Sequence, residues 1–198
     1  MARKLPPGYF FILWVIATLA GFVLPVYASL DLPLFDLRHC MFHGSLLLGL
    51  LQWLVLRQNL RPAVWWIPVT AIGGFICLWL GYVLSTMMLS AAFLPLSLRV
   101  GIGFAVSGAL MGCGQFFVLR KYRRARWLIA VTALTASLSL SQFLLIQVLN
   151  SPLFFDNVSI PSGSEWLWAA IVGGALAGIV QGAGLLWVLQ QEQQKAIA

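Results

Sequence analysis

The chain has 198 residues, of which 61% are hydrophobic and only 9% are charged. Soluble domains carry charge on roughly 25% of their residues, so this composition argues against a soluble globular protein and predicts that lipid surrounds the fold. A membrane-spanning helix needs about 20 apolar residues, which allows several spans with short loops and no domain outside the membrane. We interpret the net charge of +7 as attraction to lipid headgroups rather than as nucleic-acid binding.

Apolar runs separated by charged or Pro-, Gly- and Asp-rich breaks predict six membrane spans. They lie near residues 9–28, 42–57, 64–86, 98–119, 127–149 and 166–190. Of the 12 Lys and Arg residues, all but Arg38 and Arg99 fall on the side of the termini. Because positive charge favours the cytoplasmic side, both termini are predicted in the cytoplasm, with the 29–41, 87–97 and 150–165 segments outside.

The first apolar segment has an alternative interpretation as a cleaved signal peptide. The triplet at residues 26–28 resembles a signal-peptidase site, and Arg3 and Lys4 precede the apolar run. However, the run is longer than the apolar core of a signal peptide, which usually has ~7–15 residues, and it belongs to an internal repeat. We therefore interpret it as the first span.

The chain contains three copies of a two-helix unit, approximately at residues 9–57, 64–120 and 127–190. In each copy the second helix carries a small residue, a glycine and a glutamine at relative positions 0, 4 and 7. These glycines and glutamines are Gly49, Gly112, Gly178, Gln52, Gln115 and Gln181. The first helix of each copy carries a Trp followed by a Thr: Trp14 and Thr18, Trp66 and Thr70, and, spaced one residue wider, Trp127 and Thr132.

This repeat predicts the fold class, an all-α transmembrane bundle of six helices that forms one integral membrane domain over residues 1–198. Two spans per repeat keep every copy in the same orientation. A bundle with pseudo-threefold symmetry about the membrane normal closes such a chain most simply. A linear stack of hairpins is the alternative.

The three glutamines have two interpretations. Positions 0, 4 and 7 lie on one face of a helix, where small residues allow close approach and side-chain amides form interhelical hydrogen bonds in lipid. Gln52, Gln115 and Gln181 would then serve helix packing. The alternative is a convergent polar ring that binds a solute or a pigment, since polar groups inside a membrane often mark a site.

Near the start of the second predicted span, Asp36, His39, Cys40 and His43 form the only cluster that resembles a ligand set. His39 and His43 are four residues apart, so a helix places them on one face, and they are the candidates for binding a cofactor such as a pigment. The alternative is a pair of interfacial histidines. No metal site is predicted, because a closed zinc site needs four ligands and the sequence has no second His or Cys pair.

The second predicted cytoplasmic loop holds a group of positive charges, Arg120, Lys121, Arg123, Arg124 and Arg126. We interpret this basic loop as a lipid-headgroup anchor; docking of an acidic cytoplasmic partner is the alternative. No Asp, Glu or Lys lies in any predicted span, which argues against a proton-coupled transporter. No catalytic residue is predicted.

Two resemblances to known proteins follow from these motifs. Residues 105–112 together with 170–178 resemble the catalytic segments of rhomboid proteases, with Ser107 at the serine position. Ile171 stands where that family requires a histidine, so the resemblance implies an inactive rhomboid-like protein. The Gly-x-x-Gln-Trp-x-x-Leu-Arg element, clearest over residues 44–74, resembles a repeat in uncharacterised bacterial, prominently cyanobacterial, multi-pass membrane proteins, which implies a plasma or thylakoid membrane.

Taken together, these features predict a non-enzymatic integral membrane protein that serves as an accessory or assembly subunit of a larger membrane complex. Its partners would be the lipid bilayer and another membrane protein. A small-solute binding or transport component is the alternative, because the length and span count are similar to those of vitamin-binding subunits of modular importers. The sequence requires no cofactor.

Overall fold

The computed structural model describes residues 5–31, 37–59, 63–87, 96–120, 125–149 and 163–195. Over these ranges the backbone forms six α-helices, one short 3-10 turn at Ala63–Trp65 and no strand. The helices are α1 (Pro7–Asp31), α2 (Leu37–Leu56), α3 (Trp66–Met87), α4 (Leu96–Val118), α5 (Trp127–Leu149) and α6 (Gly163–Lys195). The predicted all-helical fold is confirmed, and each helix contains or closely matches one predicted span.

Three of the helices contain segments that are long and apolar enough to cross a membrane. These segments are Pro7–Ala28, Gly101–Val118 and Leu167–Gln190. The other three helices contain shorter apolar segments, His43–Leu56, Trp66–Gly81 and Trp127–Leu138. The structure is therefore compatible with an integral membrane protein, while the number of spans stays a prediction.

The helices are arranged as a closed ring. Each helix packs against its neighbours in the chain, and α6 packs against α1. Glycines bring several of these pairs very close together. A methyl group placed on Gly112 of α4 would lie 2.6 Å from the Cα of Ile129 in α5, and one on Gly178 of α6 would lie 2.9 Å from the Cα of Val15 in α1. Close approach of this kind is typical of helices that associate in lipid.

In the described part of the ring, several polar side chains are buried and many large apolar side chains are exposed. The buried polar residues are Thr18, Ser45, Gln52, Thr70, Ser107, Gln115, Thr132, Thr135 and Gln181. Large apolar side chains such as Ile12, Ile72 and Leu134 are exposed on the outer surface of the ring. Exposed apolar surface of this kind is costly in water and favourable in hydrocarbon.

One end of the ring carries the exposed arginines Arg57, Arg120 and Arg126, and we call it the basic end. The Arg57 guanidinium lies over the ring of Trp53, 5.1 Å from its centroid. Exposed Tyr9 and Tyr27 stand near opposite ends of α1, about 27 Å apart at 1.5 Å per residue. That separation matches the ~30 Å hydrocarbon core, whose two interfaces are enriched in Tyr and Trp.

Candidate functional site

The candidate site is a cluster of buried amides at the centre of the ring. Gln52, Gln115 and Gln181 come from α2, α4 and α6, which alternate around the ring, and they are 1%, 0% and 4% exposed. A leucine follows each glutamine by one helical turn towards the basic end. These leucines, Leu56, Leu119 and Leu185, are buried in one hydrophobic cluster, so the amides are covered by hydrocarbon on that side.

Direct hydrogen bonds join the three amides in a line. Gln52 Nε2 donates to Gln181 Oε1 at 3.2 Å, and Gln181 Nε2 donates to Gln115 Oε1 at 3.4 Å. The line therefore links three helices that do not follow one another in the chain. Interhelical side-chain bonds of this kind contribute about 0.6–2 kcal/mol each in membrane proteins.

Neighbouring helices supply further partners to the two ends of this line. Gln52 Oε1 accepts a hydrogen bond from the indole Nε1 of Trp66 at 3.0 Å, and Gln52 Nε2 also donates to Thr18 Oγ1 at 3.1 Å. At the other end, Thr132 Oγ1 donates to Gln115 Oε1 at 2.9 Å. The cluster thus ties α2, α4 and α6 to helices α1, α3 and α5.

The indole of Trp66 fixes the direction of the whole line. An indole N–H can only donate, so the atom of Gln52 that faces it must be the carbonyl oxygen. The Gln52 amide nitrogen then faces Gln181, which must present its oxygen to accept this hydrogen bond. The nitrogen of Gln181 is therefore the atom that faces the Gln115 oxygen. Turning over any one amide would place two donors or two acceptors face to face.

Three buried polar atoms around this line have no hydrogen-bond partner among the described residues. They are Trp14 Nε1, Thr70 Oγ1 and Gln115 Nε2. Thr70 occupies the position in α3 that Thr18 occupies in α1. Gln52 donates a hydrogen bond to Thr18, but Gln115 donates none to Thr70. An unpaired buried polar group costs about 1–3 kcal/mol. Both polar atoms of the Gln52 amide have partners, whereas Gln115 has an unpaired nitrogen, and Trp14, whose ring lies 5.8 Å from that of Trp66, has an unpaired indole nitrogen.

The third copy of the Trp-Thr motif differs from the sequence alignment. Trp127 is 52% exposed at the start of α5, whereas Leu128 is fully buried. Leu128 precedes Thr132 by four residues, the same spacing that separates Trp14 from Thr18. Leu128, and not Trp127, therefore occupies the buried position that Trp14 and Trp66 occupy in α1 and α3. The described part of α5 consequently presents no indole to Gln115, and the Thr132 hydroxyl takes its place.

Several predicted site residues fall wholly or partly outside the described part of the chain. Asp36 and the loop residues Lys121, Arg123 and Arg124 lie outside it, as do the side chains of His39 and Cys40. His39 and His43 both lie in α2, and the His43 side chain is exposed. No group of three or more His, Cys, Asp or Glu residues in the described ranges could hold a metal ion.

Ser107, the residue at the rhomboid serine position, is fully buried in α4. Its hydroxyl donates to the carbonyl oxygen of Phe104 at 3.1 Å and accepts from Cys77 Sγ at 3.5 Å. Ile171 lies half-buried in α6. A serine needs an adjacent base to become a nucleophile, and both contacts of this hydroxyl are to groups that are not bases.

The sequence analysis identified the glutamines but missed the residues that orient them. Trp66, Thr18 and Thr132 were recognised only as repeat markers, although each bonds a glutamine. The leucine that follows each glutamine by four residues is also a repeated feature, visible in the sequence as Leu56, Leu119 and Leu185. That spacing was the available signal for the hydrophobic layer below the amides.

The fold and the cluster together define an all-helical protein with candidate membrane spans and a neutral polar interior. Amides, hydroxyls and indoles donate and accept hydrogen bonds but do not titrate in the physiological range. Such a set can hold helices together or bind a neutral polar group. No protein-family model, curated protein or solved structure matches this chain.

Proposed function

We propose that this chain is a six-span integral membrane protein, built from three two-helix repeats, that acts as an accessory or assembly subunit of a larger membrane complex and not as an enzyme. The main support is the line of amides from Gln52 through Gln181 to Gln115. It uses most of the buried hydrogen-bonding groups to hold the helices together. The apolar outer surface is then left to contact lipid and a membrane-protein partner.

The helix contacts support the proposed repeat. Gly49 of α2 lies against Ile67 of α3 in the same way as Gly112 lies against Ile129 and Gly178 against Val15. In each pair the glycine is three residues before a glutamine, and its contact is three residues before a threonine. Equivalent residues therefore meet at all three junctions between one repeat and the next, as pseudo-threefold symmetry requires.

The proposed orientation places the basic end, and with it both termini, in the cytoplasm of a bacterial cell, in either the plasma or the thylakoid membrane. Cysteine labelling tests this orientation in a variant that lacks the three native cysteines. A cysteine at Asn59 should react with an impermeant reagent only from the cytoplasmic side, and one at Met87 only from the opposite side. Labelling of both positions from one side would contradict the six-span arrangement.

Purification of the tagged protein from its own membrane in mild detergent tests the accessory role. We expect a membrane protein to co-purify in constant proportion, which mass spectrometry would identify. The absorption spectrum of the same sample tests whether His39 and His43 hold a pigment. A colourless preparation without a partner would contradict the accessory role.

A small-solute binding component is the second candidate function. The unpaired donors Trp14 Nε1 and Gln115 Nε2 favour it, because a guest with a hydrogen-bond acceptor would satisfy them. Replacing Gln52 or Gln181 by Leu distinguishes the two functions. A transport role predicts loss of uptake in a bundle that still folds, whereas a packing role predicts a loss of stability.

A further inference from the structure

An apolar groove runs between α5 and α6 near the basic end of the ring. Its lining residues are Trp127, Leu128, Val131, Gly184 and Trp187. Its volume is about 330 Å³, within the range of roughly 300–1,000 Å³ found for ligand pockets. The surface that the lining residues turn to the groove is apolar, so water inside it would lack hydrogen-bond partners. The groove therefore favours hydrocarbon.

On both of its sides this groove is lined by a side chain smaller than its counterparts in the other two repeats. Gly184 stands three residues after Gln181, where the corresponding residues of α2 and α4 are Val55 and Val118. Leu128 stands where α1 and α3 have a buried Trp. A methyl group on Gly184 would lie 3.1 Å from both Cγ atoms of Val131, so the two helices are in close contact at this residue.

The surroundings of the groove indicate what fills it. One wall lies within Leu167–Gln190, an apolar segment long enough to cross a membrane. Trp127 and Trp187 stand beside it at the basic end, where tryptophans favour the membrane interface. Exposed Arg126 directly precedes Trp127, and its carbonyl oxygen accepts a hydrogen bond from the Ile129 amide at 3.2 Å, so Arg126 belongs to the first turn of α5.

We propose that the groove binds one acyl chain of an anionic phospholipid, whose headgroup pairs with Arg126. This inference rests on the membrane placement proposed above. An anionic headgroup is complementary to the basic end, and the hydrocarbon chain is complementary to the apolar lining. A transmembrane helix of a partner fits less well, because helix docking uses a face of small residues over several turns, whereas Gly184 is the only small residue in this lining.

Lipid retention tests the proposal on the full chain. The protein is reconstituted in vesicles of equal parts phosphatidylglycerol and phosphatidylcholine and extracted in mild detergent, and retained lipid is measured by native mass spectrometry. We expect one phosphatidylglycerol to stay bound in preference to phosphatidylcholine. Arg126→Gln should lower phosphatidylglycerol retention about fivefold, the factor that corresponds to about 1 kcal/mol per basic residue near a membrane surface. Arg57→Gln is the matched control and should leave retention unchanged.

Substitution of the groove wall provides a second arm. Trp127→Ala should lower retention of phosphatidylglycerol at least fivefold. Trp65→Ala is the control and should not change lipid retention. Like Trp127, Trp65 precedes a threonine by five residues and is exposed, at 65%, but it lies outside the groove. Val131→Phe fills the groove and should act like Trp127→Ala. The thermal unfolding of each variant, measured alongside, shows that the bundle is folded.

Three results would overturn the lipid site. The first is that the unchanged protein retains the two lipids equally. The second is that Trp127→Ala and Trp65→Ala lose equal amounts of phosphatidylglycerol. The third is that a protein is retained in place of the lipid and that Trp127→Ala abolishes the binding of this protein. Failure of the proposed membrane placement gives a different result, because the chain would then leave the membrane fraction on alkaline carbonate extraction before any lipid is measured.

Discussion

Replacing single glutamines of the buried cluster should reveal its direction. Gln52→Leu keeps a side chain of similar size but removes hydrogen bonds to Trp66, Thr18 and Gln181. Interhelical hydrogen bonds in membrane proteins average about 0.6 kcal/mol and reach about 1.7 kcal/mol. Three such bonds predict that Gln52→Leu lowers the free energy of unfolding by about 2–5 kcal/mol.

Gln115→Leu should cost much less, although Gln115 is equally buried. It removes two bonds, from Gln181 and Thr132, which together are worth about 1–3 kcal/mol. It also removes the unpaired Nε2, and relief of an unsatisfied buried group returns about 1–3 kcal/mol. The two effects nearly cancel, so the predicted net loss is about 0–2 kcal/mol.

Equilibrium unfolding by sodium dodecyl sulfate in mixed micelles measures this difference, with helicity and tryptophan fluorescence as separate signals. Gln58→Leu is the control, because Gln58 is exposed and bonds only the Leu54 carbonyl oxygen of its own helix at 3.4 Å. It should change the free energy by less than about 0.5 kcal/mol. Equal losses for Gln52→Leu and Gln115→Leu would refute the proposed direction and would mean that the Gln115 amide nitrogen is paired.

Two further matched pairs use the same titration. Trp66→Phe should lower the free energy of unfolding by about 1–3 kcal/mol more than Trp14→Phe. Both indoles are fully buried, but only Trp66 donates a hydrogen bond. Similar losses would contradict the hydrogen bond from Trp66 to Gln52. Gly112→Ala should lower the free energy of unfolding by about 1–3 kcal/mol through overpacking, since its methyl group would lie 2.6 Å from the Cα of Ile129. Gly8→Ala, with nothing within 4 Å of the added carbon, should not destabilise, and a loss equal to that of Gly112→Ala would exclude close packing as the cause.

Hydropathy predicts the helices well because an apolar run is also a helical run in lipid, where every backbone polar group must be bonded within the helix. The prediction for α5, residues 127–149, coincides with the observed Trp127–Leu149. The ends of α6 differ, since the predicted span 166–190 lies inside Gly163–Lys195. Residues 191–195 are Gln, Glu and Lys, which are polar but favour helix, so the helix continues after the apolar run stops.

The candidate site could be predicted only in part. Spacing alone placed Gln52, Gln115 and Gln181 on equivalent helix faces, and the structure brings their side chains together. What spacing does not contain is the order of the hydrogen bonds, because that order depends on a donor-only group, the Trp66 indole, that lies on another helix. The sequence comparison also missed that Leu128, and not Trp127, takes the buried position in α5. It aligned Trp127 with Trp14 and Trp66 because the residue types match, although Leu128 has the same four-residue spacing to the following threonine.

Two departures from the proposed symmetry lie in the third repeat. Leu128 replaces a buried tryptophan, so Gln115 receives a hydroxyl instead of an indole, and the line of amides ends there with an unpaired nitrogen. The same leucine lines the groove between α5 and α6, where Gly184 replaces a valine. Smaller side chains at these two positions therefore account for the apolar groove, but not for the unpaired Gln115 nitrogen, because an indole at position 128 could donate only to the Gln115 oxygen. We therefore expect larger residues at positions 128 and 184 to fill the groove and to exclude the proposed acyl chain, while the Gln115 nitrogen stays unpaired.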